Sequence, residues 1–132
     1  MKNIKNVLVD MSASLIHHGH IRLLKRAHKH GRVIVALTTD NEIKKSKKFV
    51  PEIKYKFRSE ILKSIKYVYD VIPSKFQINN KFLKKNKIDI LVNGGDYKNR
   101  KLDIKTITYK RTNNISSSLI RKRAAINCEK KK

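Results

Sequence analysis

The sequence predicts an α/β fold: a single domain in which a parallel sheet of about five strands carries helices on both faces. Three observations lead there. Short β-branched apolar runs alternate with longer stretches of helical periodicity along the chain. The 132 residues are enough to bury one core without staples. Polar clusters at His17–His20, Thr38–Asp40, Gly94–Asp96 and Arg111–Ser118 each follow a predicted strand, which sets them along one rim of such a sheet, where ligands bind.

The elements follow in order. "NVLVD" (6–10) reads as a buried strand. Residues 18–31 form a helix with Ile21, Leu24 and Ala27 inward, Leu23 widening the stripe and Gly31 as the stop. "RVIVALTTD" (32–40) is a second buried strand. The lysine-rich 41–49 has no clean apolar face and reads as a loop or a short frayed helix. A helix can begin at Pro51, with Phe57, Ile61, Leu62 and Ile65 as its apolar stripe. "YVYDVIP" (67–73) is a third strand closed by Pro73, and 78–87 a helix with Ile78, Phe82 and Leu83 inward. "IDILVNGGD" (88–96) is a fourth strand running into a turn, 104–109 a fifth, and 116–125 a final helix. Residues 1–126 make the domain, and 127–132 a basic tail expected to be disordered.

Composition narrows the function classes. The longest apolar run, Val33 to Leu37, is strand-sized, so no membrane span is expected. The opening "MKNIKNVLVD" lacks the apolar stretch and cleavage site of a signal peptide, which points to the cytoplasm. Cys128 is the one cysteine and has no disulfide partner. The formal charge of +23 invites a nucleic-acid partner. Against that, 25 of the 33 basic residues are lysine, scattered through every segment beside abundant isoleucine and asparagine, as AT-rich coding alone produces. Tryptophan is absent and the five tyrosines are dispersed, so no stacking platform is evident. Nucleic-acid binding is therefore disfavoured, while the positive field still suits an anionic small substrate.

The crowded "HHGH" (17–20) sits where the first strand hands over to a helix. His17 and His20, three apart, can face the same side, and Gly19 leaves room for close approach. A helix N-terminus favours phosphate, to which two imidazoles can donate hydrogen bonds. Zinc and plain surface accident are the competing readings; zinc wants about three or four protein ligands backed by carboxylates, and no cysteine or acid lies nearby, so phosphate is favoured over metal, with accident left open. His18 is expected to point elsewhere, and His28 and His30 to face solvent.

"HHGH" matches the H-x-G-H pattern of the nucleotidyltransferase superfamily. "RTNNISSS" (111–118), about ninety residues on, resembles its second pattern, R-T-x-G-I-S-T-T, as glycerol-3-phosphate cytidylyltransferases carry it. "YKFRSEILKSIKYVYDVIP" (55–73) resembles the family's middle helix and strand, and "LVNGGDYK" (91–98) its acidic turn, so the likeness runs from about residue 5 to 125. The resemblance implies a Rossmann-like fold, often a homodimer. It implies attack by a substrate phosphate or phosphonate oxygen on the α-phosphate of a nucleoside triphosphate, with Mg2+ accompanying the nucleotide and pyrophosphate leaving. Under it His17 and His20 stabilise the transition state and Arg111 holds phosphate. Lys48, eight residues after Asp40 and crowded by Lys44, Lys45 and Lys47, is the lysine that bridges the substrates. Ser12, Ala13, Gly19, Asp96, Thr112, Ile115, Ser116, Ser117 and Ser118 line the nucleotide, the serines offering hydroxyls and helix-start amides where an ordinary N-cap needs only one. No metal ligand set from the protein is assigned.

Three departures bear on the reaction. "MSAS" (11–14) stands for the family's G-T-F-D and resembles the M-S-A-D of phosphonate-associated members, with Ser14 in place of the acid. "GGDY" (94–97) is nearer the turn of ADP-heptose-type adenylyltransferases. Asn114 replaces a glycine and is the next best residue at positive φ. The expectation is transfer of CMP from CTP to a small phosphorylated or phosphonylated alcohol. The alternatives are an adenylyltransferase using ATP and a sugar phosphate, and a non-catalytic basic nucleic-acid-binding protein on the same fold.

Overall fold

A computed structural model describes residues 3–95 and 101–130. The elements run β1 (Asn6–Met11), α1 (His18–His28), β2 (Arg32–Thr38), α2 (Asp40–Lys47), α3 (Tyr55–Lys63), β3 (Val68–Ser74), α4 (Asn80–Lys85), β4 (Ile90–Asn93), β5 (Lys105–Thr108) and α5 (Ser117–Lys130). All five strands are parallel, in the order β3-β2-β1-β4-β5. The chain thus winds outward from β1 in one direction and then, after β3, in the other. The switch point lies between β1 and β4.

Alternation along the central strands builds a core on each face. Val7, Val9 and Met11 of β1 meet Val33, Val35, Leu24 and Ala27 of α1, and Leu62 of α3. Leu8, on the opposite face, meets Ala36, Leu91, Leu83 of α4 and Ile78 ahead of that helix. Each fully buried valine or leucine contributes roughly 1.5–3 kcal/mol, and both faces are covered as the strand runs predict. Gly31 is fixed by geometry: at φ 153°, a Cβ there would lie 2.3 Å from the Lys5 carbonyl oxygen. Among the described residues no helix is long and apolar enough to cross a membrane.

Several sequence expectations are corrected. The lysine-rich segment, read as a loop or a short frayed helix, takes the helical alternative over residues 40–47, capped by the Thr39 hydroxyl, which accepts from the Glu42 N–H, and held by one buried side chain, Ile43. A single apolar contact leaves no periodic stripe to read. Pro73 does not close β3 but pairs with Leu37 inside it; β3 is an edge strand, where a missing N–H is tolerated.

Helix α3 begins at Tyr55, four residues after Pro51, and buries Arg58, Ser59 and Leu62, whereas Phe57 and Ile61 are 49% and 40% exposed. Its inward face is rotated because the Arg58 guanidinium, 0% exposed, satisfies four groups at once. It donates to the carbonyls of Ser12, Thr38 and Ile53 and to the Asp40 carboxylate, which in turn accepts from the Tyr55 N–H. Ile21, expected inward on α1, is 41% exposed. Helix α5 continues to Lys130, so residues 127–130 of the expected disordered tail form its last turn; no glycine or proline interrupts the run.

Candidate active site

A cleft of about 190 Å3 opens at the carboxyl ends of the central strands. Its floor is the end of β1 (Asp10, Met11) and of β4 (Asn93), its wall the first turns of α1, and its far side the segment that follows β5. Ser12, Ala13, His17, Gly19 and His20 reach it from the first segment. Arg111, Thr112, Ile115, Ser116, Ser117 and Ser118 reach it from the second. Lys48 does not line the cleft; its neighbour Lys47 does. Helix α2 keeps Lys47 on its last turn, and Lys48 turns away as a left-handed C-cap at φ 63°. Asp96 lies outside the described residues.

The two imidazoles cap α1 reciprocally. His17 is the N-cap, and its Nδ1 accepts from the Gly19 N–H at 3.1 Å. The Nδ1 of His20 accepts from the His17 N–H at 3.1 Å. With both Nδ1 atoms accepting, each neutral ring carries its proton on Nε2. The rings lie 3.9 Å apart between centroids. Burial, then the charges of His17 and Arg111, push the His20 pKa down to about 3. Burial, then His18 and Arg111, lower that of His17. At neutral pH the pair therefore presents two uncharged N–H donors.

Gly19 serves this arrangement directly: a Cβ there would lie 2.8 Å from Cε1 and 2.9 Å from Nδ1 of His17. The space it leaves is occupied by the His17 ring itself.

The serine triplet divides its work. Ser116 is the N-terminal cap of α5, its hydroxyl accepting from the Leu119 N–H at 3.0 Å. The Ser117 hydroxyl donates to the Leu15 carbonyl at 2.8 Å and accepts from the Leu15 N–H at 3.2 Å, tying the second segment to the first. Ser118 stays exposed at the rim. Asn114 takes φ 62°, the conformation that the missing glycine would have supplied. Ala13, buried in the first loop, takes φ 44°, where a Cβ is strained.

Sequence reasoning missed several cleft residues. Arg26 lines the wall; its guanidinium stacks over Tyr109 at 5.4 Å and donates to the Lys110 carbonyl. The i, i+4, i+7 stripe Gly19, Leu23, Arg26 on α1 is the signal that could have found it. Asp10, next to last in β1, and Asn93, last in β4, lie at the carboxyl ends of the two strands that flank the switch point, which the rim rule itself singles out. His30, expected in solvent, is half-buried, its Nε2 lying 2.7 Å from the Tyr109 hydroxyl. His28 is exposed as expected.

Among the described residues lining the cleft, Arg26, Lys47, Lys110 and Arg111 are cationic and Asp10 is the one carboxylate. A cationic cleft with neutral N–H donors on its wall suits a polyphosphate. No group of three His, Cys, Asp or Glu among the described residues is placed to hold a metal ion.

Comparison with known proteins places the chain by family and fold. The cytidylyltransferase-like family pattern matches residues 12–123. The chain is 36% identical over 126 residues to a glycerol-3-phosphate cytidylyltransferase of Staphylococcus aureus, covering 89% of this chain and 93% of that one. It is 33% identical over 129 residues to the Bacillus subtilis protein of the same name, covering 92% and 98%. In fold it is similar to the lipopolysaccharide core biosynthesis protein of Thermoplasma volcanium, with a TM-score of 0.73 and 20% identity over 84% of this chain and all of that one. With its paired rim segments and a match that spans most of its length, the chain belongs to the cytidylyltransferase-like family of nucleotidyltransferases.

Proposed function

We propose that the protein transfers a cytidylyl group from CTP to a small phosphorylated alcohol, with glycerol 3-phosphate as the first candidate, and releases pyrophosphate. The observation that carries this reading is the meeting of two distant segments in one cationic cleft: His17 and His20 with Nε2–H donors, facing Arg111 and the start of α5. The names of the full-length relatives support the choice of base and acceptor.

In this reading an acceptor phosphate oxygen forms a bond to the α-phosphorus of CTP while the bond from that phosphorus to the bridging oxygen breaks. The electron pair leaves with pyrophosphate, and no enzyme residue is covalently modified. His17 and His20 donate hydrogen bonds to the α-phosphoryl oxygens as charge builds on them, moving no proton. Arg111, Arg26 and Lys47 hold the β- and γ-phosphates, and the backbone amides at the start of α5 complete the cradle. The main contributions are positioning and charge stabilisation. Mg2+ enters as part of the nucleotide substrate, neutralising its tail, with Asp10 the carboxylate of the described cleft nearest in chemistry to its needs.

The test is pyrophosphate release from each of the four triphosphates with a panel of phosphorylated and phosphonylated alcohols and sugar phosphates. Release with CTP and glycerol 3-phosphate or a similar polyol phosphate is expected. Release with ATP and a sugar phosphate alone would replace base and acceptor, and no release with any pair would overturn the reading.

A further inference from the structure

Helix α5 spans fourteen residues and buries none of them, yet it carries part of the cleft at its start. What holds it is a pair of side chains one turn apart. Ser117 exchanges two hydrogen bonds with the backbone of Leu15. Arg121, four residues on and therefore on the same face, reaches two further segments. Its Nε and Nη2 both donate to the Glu52 carboxylate, the latter at 2.8 Å. Nη2 also lies 3.2 Å from the Ser14 hydroxyl, and the guanidinium stacks over the Phe49 ring at 4.3 Å.

These contacts join three pieces of chain. Ser14 belongs to the loop after β1 and lines the cleft. Phe49 and Glu52 belong to the connection between α2 and α3, which begins directly after the cleft residue Lys47. Position 14 is a serine here, and the carboxylate that meets the guanidinium comes from Glu52.

We propose that Arg121 and Glu52, with Phe49 and Ser14, form a clasp that positions α5 and the 48–54 connection over the cleft, setting Lys47 and the start of α5 at the right distance from the histidines. Phe49, Glu52 and Arg121 lie outside the cleft lining and act as positioning residues, through Ser14 and the backbone they hold. The arrangement rests on the nucleotidyltransferase reading above for its kinetic consequence, though not for its structural one. Glu52 and Arg121 are both about one-third exposed, so the pair adds little to global stability. Its effect is on local order and on binding. The hydrogen bond from the Arg121 guanidinium lowers the pKa of Glu52.

The experiment uses the full chain with Glu52→Gln, Arg121→Gln and the double variant. Hydrogen exchange is measured without ligand at the Leu15 and Leu119 amides, which bond to the Ser117 and Ser116 hydroxyls. Each single variant is expected to exchange about tenfold faster there, with an unchanged unfolding midpoint. With CTP as substrate, KM is expected to rise about tenfold while kcat stays within about threefold. The double variant should be no worse than either single one, since they remove the same contact. Native exchange in Glu52→Gln, additive effects in the double variant, or a fall in kcat with KM unmoved would each overturn the clasp. Because exchange needs no turnover, a protein inactive with every triphosphate would sink the functional reading and leave the clasp to stand or fall by exchange alone.

Discussion

Acidification should weaken this fold through His20, and the size of the effect follows from its environment. Burial, with His17 and Arg111 nearby, holds the His20 pKa at about 3 in the native state, against 6.5 for an ordinary histidine. Below pH 6.5 the unfolded chain therefore binds a proton that the folded chain refuses, so stability falls as pH drops, down to about pH 3. Each unit in that window costs about 1.4 kcal/mol, so moving from pH 7 to pH 5 removes at most about 2 kcal/mol. A His20→Asn variant isolates the contribution, since asparagine has an oxygen to accept the His17 N–H and no ring to titrate. Urea unfolding of both proteins at pH 7 and pH 5 gives the answer, because titrations away from the imidazole pair cancel in the comparison. The wild type should lose about 2 kcal/mol more than the variant. Equal losses would show that His20 is not held neutral, and the reasoning about its tautomer would go with it. The same variant lacks the Nε2 donor and should turn over about 100- to 1,000-fold more slowly.

Gly19→Ala sets a methyl within 3 Å of the His17 ring and should lower kcat/KM at least about tenfold while costing the fold about 1 kcal/mol; wild-type kinetics would refute the packing. Arg58→Met strands the carbonyls of Ser12, Thr38 and Ile53 and the Asp40 carboxylate. Urea unfolding should show a loss of about 3–5 kcal/mol, and a loss under 1 kcal/mol would contradict the assignment. Lys47→Ala should raise the KM for the triphosphate about tenfold, whereas Lys48→Ala, outside the cleft, should stay within about twofold; the reverse pattern would reinstate Lys48.

What the sequence made legible divides along physical lines. Strand cores such as Val33 to Leu37 are written in β-branched runs that few other structures accept, and their alternation with helices sets the layer order. The two motif segments were legible because rim residues follow strand ends, so His17, Gly19, His20 and Arg111 came together without any knowledge of distance.

What stayed hidden depends on contacts between segments far apart in sequence. The inward face of α3 is chosen by Arg58, whose partners lie at residues 12, 38, 40 and 53, and not by the apolar pair Phe57 and Ile61. Whether Lys47 or Lys48 meets the cleft turns on where α2 stops, a one-residue question that local propensity does not settle. The division of labour among Ser116, Ser117 and Ser118 likewise depends on Leu15, about one hundred residues away.

The central claim is that residues 12–20 and 111–118 build one cradle for a polyphosphate, and a crystal structure with CTP tests it most directly. The account predicts the α-phosphate within hydrogen-bond distance of Nε2 of His17 and His20, and the tail between Arg111 and the start of α5. A triphosphate seated elsewhere, or one that meets the imidazoles while its tail turns away from Arg111, would contradict it.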